Sequence, residues 1–178
     1  ARYIGLSEVT YFEIANKVVM QIRSLFDMGI RATMPEISKV FAVGKDSVNK
    51  INSIFKKAMK LVLCAGIPMF ILLFFLASFL LSLWLSNEYV PMISNTFRII
   101  LIGFLINLLS VPIYYLFMGI GKVSYCFVNH FVQSILNVAI ISIFILLGIT
   151  NFYLFSSIYS VSVALSAMLL IILFLRYR

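Results

Sequence analysis

Four stretches of this chain contain no Asp, Glu, Lys or Arg: Leu61 to Leu85, Ile99 to Met118, Val123 to Leu147 and Phe152 to Leu175. Each reaches the ~20 apolar residues that a helix needs to cross the hydrocarbon core of a bilayer. Inside lipid only helices and closed barrels satisfy every backbone polar group, so these runs restrict the fold more than any other feature. A barrel strand would alternate apolar and polar residues over about ten positions, and "FILLFFLASFLLSLWL" does not alternate. Of 178 residues, 63% are hydrophobic and 11% charged, against about 45–50% apolar in soluble domains. The fold class expected is an all-α integral membrane protein.

A fifth span is less obvious. "EIANKVVMQIRSLFDMGIR", positions 13 to 31, carries Glu13, Lys17, Arg23, Asp27 and Arg31. On a helical wheel of about 100° per residue all five fall within a third of the circumference, together with Asn16 and Ser24. Ile14, Ala15, Val18, Val19, Ile22, Leu25, Phe26 and Ile30 occupy the other side. The segment therefore reads as a spanning helix whose charged arc faces protein or water, because lipid exposure costs roughly 2.5–3.5 kcal/mol per charge. The four-residue spacing pairs Glu13 with Lys17, Arg23 with Asp27 and Asp27 with Arg31. Two readings stand. Either the pairs only make the helix tolerable in the bilayer or at its interface, or the arc walls a hydrated, net-cationic cavity; three cations against two anions favour the cavity.

The expected organisation is one membrane domain with helices at about 7–33, 61–85, 92–118, 123–147 and 152–175 and a basic linker at 34–60. The linker holds Lys39, Lys45, Lys50, Lys56, Lys57 and Lys60 against Glu36 and Asp46, whereas "SNEYVP" holds no Lys or Arg. Lys122, Arg176 and Arg178 fall on the linker's side, so by the positive-inside rule that side is cytoplasmic and the N-terminus lies outside. The net charge of +8 is then topogenic, and no nucleic-acid partner is expected; membrane lipids are. Within the linker, "KDSVNKINSIFKKAMK" sets Val48, Ile51, Ile54, Phe55, Ala58 and Met59 on one side. That pattern predicts a short amphipathic cytoplasmic helix along the inner leaflet.

Pro68 and Pro112 interrupt the second and third spans, where each should kink or loosen the helix, with Ser110 able to take up a freed carbonyl. In the fourth, Cys126, His130, Gln133, Ser134 and Asn137 share about 100° of the wheel. His130 could be an interhelical hydrogen-bond partner or a proton carrier; with Gln133 and Asn137 it marks a possible secondary cavity. Ser156, Ser160, Ala164 and Ala167 form a small-residue packing ridge. Cys64 and Cys126 lack metal-ligand spacing, and no phosphate loop, zinc-protease or nucleophile-elbow motif occurs. No enzyme activity, metal or cofactor is expected.

"GLSEVTYFEIANKVV", "MPEISKVFAVGKDSVNKI", "GIPMFILLF", "LWLSNEYV", "FRIILIGFLINLLSVPIYYLFMGIGK" and the "VNHF" helix, in that order along nearly the whole chain, resemble the second half of the polysaccharide flippases. These are the O-antigen and capsule translocases of the multidrug/oligosaccharidyl-lipid/polysaccharide exporter superfamily. The resemblance implies a two-lobe, multi-pass exporter of the inner (cytoplasmic) membrane, working by alternating access, of which this chain is part of the second lobe and a first lobe of the same protein is missing. The implied cargo is a lipid-linked oligosaccharide, a glycan on a polyprenyl diphosphate. Lys17, Arg23 and Arg31 would then meet the diphosphate, Asn16, Ser24, Gln133 and Asn137 could serve the sugars, and Glu13 and Asp27 would serve charge pairing or ion coupling. A cation-coupled multidrug exporter of the same superfamily and a membrane-embedded glycan polymerase or glycosyltransferase are the alternatives.

Overall fold

The computed structural model describes residues 5–44, 47–149 and 151–177. Lys45, Asp46 and Arg178, which entered the charge count above, lie outside the described residues. Among those described, every regular element is helical.

The charged segment forms α1 (Leu6–Arg31), opened by Glu8, whose carboxylate accepts the Gly5 N–H at 2.9 Å. Its 26 residues give a helix about 39 Å long at 1.5 Å per residue, more than a hydrocarbon core requires. The stretch expected as a basic linker folds into two helices, α2 (Thr33–Val43) and α3 (Ser47–Leu61). A single π-helical turn, Val62–Gly66, joins α3 to α4 (Ile67–Leu85), so that Val48 to Glu88 is one continuous helical rod of 41 residues. Part of the apolar side of α3 packs on protein. Ile54 and Ala58 are buried, and the Phe55 ring centroid stands 5.1 Å from that of Phe174. Val48, counted on that side from sequence, is 76% exposed.

The π turn has a local cause. Pro68 has no N–H to offer the carbonyl four residues back, and the ladder adapts by a wider step in which the Ile67 N–H reaches the Val62 carbonyl. After a 3₁₀ turn at Ser86–Glu88 the chain enters α5 (Pro91–Gly119), with proline in the first helical position, where its missing donor costs nothing. Pro112 lies inside α5 without breaking it. Ser110 donates to the Asn107 carbonyl at 2.7 Å, one residue before the carbonyl that Pro112 leaves without its usual partner. Gly121 takes φ +77° to end the helix, and the chain returns through α6 (Val123–Leu146) and α7 (Phe152–Tyr177).

The hub is α5, which contacts every other helix. Ala15, Val19, Phe26 and Ile30 of α1 and Phe70, Ala77 and Leu81 of α4 pack with it into one core. A second cluster joins Ile37, Ile54, Ile113, Phe117, Cys126 and Leu170 at the end where α2 and α3 sit. The small-residue ridge of α7 meets α5 closely: Ser160 donates to the Ile99 carbonyl at 2.6 Å and accepts from the Gly103 N–H at 3.0 Å. Helices α4 to α7 are long and apolar enough to cross a membrane; α1 has the length but is more polar, through its charges and its Ser, Thr, Asn and Gln residues. The chain is a multi-pass membrane protein.

Candidate functional site

Between α1, α5, α6 and α7 lies a cavity of about 350 Å³. From α1 it takes Met20, Arg23 and Asp27, from α5 Phe104, Asn107, Ser110, Val111, Tyr114 and Tyr115, from α6 Asn129, His130 and Gln133, and from α7 Tyr159 and Val163. The charged arc of α1 is wider than the cavity. On the same wheel Arg23, Asp27 and Met20 fall at about 280° to 340°, whereas Glu13, Lys17, Ser24 and Arg31 fall at about 0° to 40°. The first group lines the space, and Glu13, Lys17 and Arg31 are exposed on the flank.

This geometry changes the expected pairing. Among the described residues the one ion pair is Arg23 with Asp27, Nη2 to Oδ2 at 3.7 Å. Glu13 with Lys17 and Asp27 with Arg31, expected from spacing, are not formed: Glu13, Lys17 and Arg31 project from the exposed flank, where water competes for them, and Asp27 lines the cavity beside Arg23. With Lys17 and Arg31 off the wall, the cavity carries one formal cation and one formal anion, so the net positive charge expected for it lies beside it instead.

Arg23 is held from two sides. Its guanidinium lies over the Phe104 ring, 5.6 Å from the centroid, and the side chain is 25% exposed. A gap of 3.7 Å to the carboxylate is too long for a hydrogen bond, and the buried Nε has no partner. The planar fork is thus placed on the cavity with donors uncommitted. Also on the wall, His130 Nε2 and the Tyr114 hydroxyl are 3.4 Å apart, with the rings edge to face at 5.5 Å. His130 therefore has an interhelical partner.

Gln133 joins the wall, while Asn137, one helical turn further along α6, is off it with its side-chain oxygen buried and unpartnered. Asn16 is half-buried one turn before Met20, its oxygen likewise without a partner, and is also off the wall. Ser24 turns its hydroxyl back to the Gln21 carbonyl at 2.7 Å. Sequence reasoning missed Asn107, Asn129, Tyr114 and Tyr159. A signal existed for two of them: Asn107 interrupts the apolar run "FLINLLS", and Asn129 falls about 60° from Cys126, at the edge of the α6 polar stripe.

Searches of curated proteins and of solved structures return no match to this chain. Residues 1–143 match the MatE family model, a span that covers α1 to α5 and nearly all of α6, three of the four helices that enclose the cavity. A polar cavity walled by membrane-crossing helices is what a carrier requires. The chain belongs to the MatE family, membrane transporters of the multidrug/oligosaccharidyl-lipid/polysaccharide exporter superfamily.

Proposed function

We propose that the cargo is a lipid-linked oligosaccharide, carried across the cytoplasmic membrane by alternating access, with Arg23 as the contact for its diphosphate. The supporting observation is a guanidinium on the cavity wall that lies over the Phe104 ring and makes no hydrogen bond to its neighbouring carboxylate. Such a fork suits two phosphate oxygens at once. An arriving diphosphate takes over the Arg23 donors that now face Asp27, while Lys17 and Arg31 on the exposed flank of α1 draw the anion toward the passage. A first lobe of the same protein would supply the opposite wall, and the lipid tail would stay in the bilayer. The remainder of the polar lining would meet the sugars.

A second reading has its own observation. Asp27 stands on a cavity lined by Phe104, Tyr114, Tyr115 and Tyr159, which suits a lipophilic cation with Asp27 as the coupling carboxylate. Substitutions separate the two. If Arg23 contacts the diphosphate, Arg23→Lys lowers surface polysaccharide partly and Arg23→Ala severely, and the double variant Arg23→Ala/Asp27→Ala inserts normally yet exports no glycan. Normal surface glycan in the double variant would reduce Arg23 to a counter-ion. Transport of a lipophilic cation by Arg23→Ala, lost when Asp27→Ala is added, would establish the drug-exporter reading.

A further inference from the structure

A second guanidinium lies within a membrane-crossing helix, and among the described residues no carboxylate forms an ion pair with it. Arg98 follows Pro91, the first residue of α5, by seven positions, which sets it about 10 Å in from that end of the helix at 1.5 Å per residue. By the positive-inside rule this is the outer end. The Nε of Arg98 donates to the Phe74 carbonyl at 3.1 Å, Nη2 to the Ser78 hydroxyl at 3.0 Å, and Nη1 approaches the Asn95 side-chain oxygen at 3.5 Å. These acceptors are neutral and take three of the five N–H donors of a guanidinium. Two N–H groups and the whole positive charge remain, on a side chain that is half-buried rather than enclosed. An uncompensated charge at this depth is costly, and it asks for an anion.

Deeper than Arg98, α4 and α5 leave between them a groove of about 310 Å³. Its walls are apolar, with Phe70, Phe74 and Phe75 on α4 and Leu101, Ile102 and Leu105 on α5; Phe75 and Ile102 lie at its open side, 75% and 52% exposed. Phe74 joins groove to charge, since its ring centroid stands 6.0 Å from the Arg98 guanidinium carbon and its carbonyl accepts the Nε bond. From there the walls descend toward the middle of the bilayer, to Leu105 two turns along α5 and to Phe70 one turn along α4. On the helical wheel Arg98, Leu101, Ile102 and Leu105 share about 100° of α5, on the side away from Phe104, Asn107, Val111 and Tyr114 of the polar cavity.

A cation near the outer end and an apolar slot running inward from it fit a lipid of the outer leaflet, phosphate at the arginine and chain in the slot. A soluble anion would pair the charge and leave the slot bare; an apolar protein segment would fill the slot and leave the charge. Cargo held among α1, α5, α6 and α7 would have to pass round α5 to arrive here, whereas phospholipid already surrounds this face. We propose that Arg98 and the α4–α5 groove form a site for an anionic phospholipid, whose phosphodiester accepts the remaining Arg98 N–H groups while one acyl chain lies along Phe70, Phe74 and Leu105. The proposal is independent of what the polar cavity carries.

The test uses the full-length protein in phosphatidylcholine nanodiscs with a small fraction of phosphatidylglycerol that bears a photoactivatable diazirine in one acyl chain. Photolysis is expected to label the peptides that hold Phe70 to Phe75 and Leu101 to Leu105, with unlabelled phosphatidylglycerol competing and added phosphatidylcholine not. Arg98→Gln removes the charge and should lower that labelling roughly fivefold, the factor that corresponds to one basic residue's attraction for anionic lipid; Arg98→Lys should retain most of it. Phosphatidylglycerol should also raise the thermal unfolding midpoint of wild type and not that of Arg98→Gln. Should Arg98→Gln not insert, Ile102→Trp carries the test, because it fills the slot from its exposed side, leaves the charge in place and should lower labelling as well. Equal labelling by a photoactivatable phosphatidylcholine, or labelling unchanged in Arg98→Gln or Ile102→Trp, would overturn the site. So would competition by a short-chain polyprenyl diphosphate but not by phosphatidylglycerol, which would give the groove to the cargo, or a disulfide between a cysteine at 102 and one in the first lobe, which would make it a contact between lobes.

Discussion

A methyl group added at Gly103 would fall well inside the van der Waals contact distance of the Ser160 carbonyl oxygen on α7. The collision is with backbone, which cannot swing aside, so α5 and α7 must separate and the two Ser160 hydrogen bonds stretch. Gly103→Ala is expected to destabilise by ~1–3 kcal/mol, the usual cost of overpacking a tight interface. The measurement is a lower midpoint of thermal unfolding in detergent, with Gly121→Ala as comparison. At Gly121 nothing lies within 4 Å and only the φ of +77° is strained, which costs about 1 kcal/mol. Equal loss from both would mean that the α5–α7 approach is not the constraint. At this scale the sequence was partly legible: Ser160 was read as packing and packs, whereas Arg98 was overlooked because it stands just before a charge-free run. Its Nε donates to the Phe74 carbonyl at 3.1 Å and its Nη2 to the Ser78 hydroxyl at 3.0 Å, joining α5 to α4. Such a staple depends on which helices are neighbours, and a sequence does not state that.

That the apolar runs are helices was legible for a physical reason: lipid offers the backbone no alternative partner, so apolar length alone gives the element. The linker was less legible. Met34, Ile37, Val40 and Phe41 have helical spacing, but the charges of the region mask it, and the packing of Ile54, Ala58 and Phe55 of α3 against protein depends on which helices are neighbours. The π turn tests how firmly these faces are fixed. One extra residue in a helical turn rotates everything after it by about 100°; here Ile54 and Ala58 before the turn and Phe70, Ala77 and Leu81 after it all point into packed interior. Deleting exposed Cys64 should let Val62–Gly66 close toward an α turn while keeping both faces inward, so the variant is expected to insert and to run as a single species in size-exclusion chromatography. Deleting Leu72, which lies between Phe70 and Ala77, should rotate the rest of α4 off α5 and give aggregated or degraded protein. Aggregation of both deletions would show that the π turn is needed in its own right.

Among the described residues, basic side chains concentrate at one end of the molecule. Lys39, Lys50, Lys56, Lys57, Lys60, Lys122 and Arg176 gather where α2 and α3 pack onto α5 and α7, where the Lys122 Nζ sits 5.6 Å from the Tyr177 ring centroid. The opposite end carries Asn87 and Glu88 in its 3₁₀ turn. The positive-inside rule then places Asn49 in the cytoplasm and Asn87 outside. Cysteines introduced at these positions and labelled in intact cells with a membrane-impermeant thiol reagent are expected to react at 87 and not at 49; the reverse pattern would invert the orientation.

The hub position of α5 also has a consequence for biogenesis. Ribosomes deliver helices in chain order, and α1, the helix that most needs shelter for Arg23 and Asp27, emerges well before the helix it packs on. At roughly 5–20 residues per second, the stretch from Arg31 to Gly119 takes on the order of ten seconds to synthesise. For that interval α1 has neither the Phe104 ring under its guanidinium nor the α5 surface against Ala15, Val19, Phe26 and Ile30. Until the hub arrives the shelter that α5 gives those charges is missing, so the nascent chain is more exposed to quality-control proteolysis before α5 enters the bilayer than after.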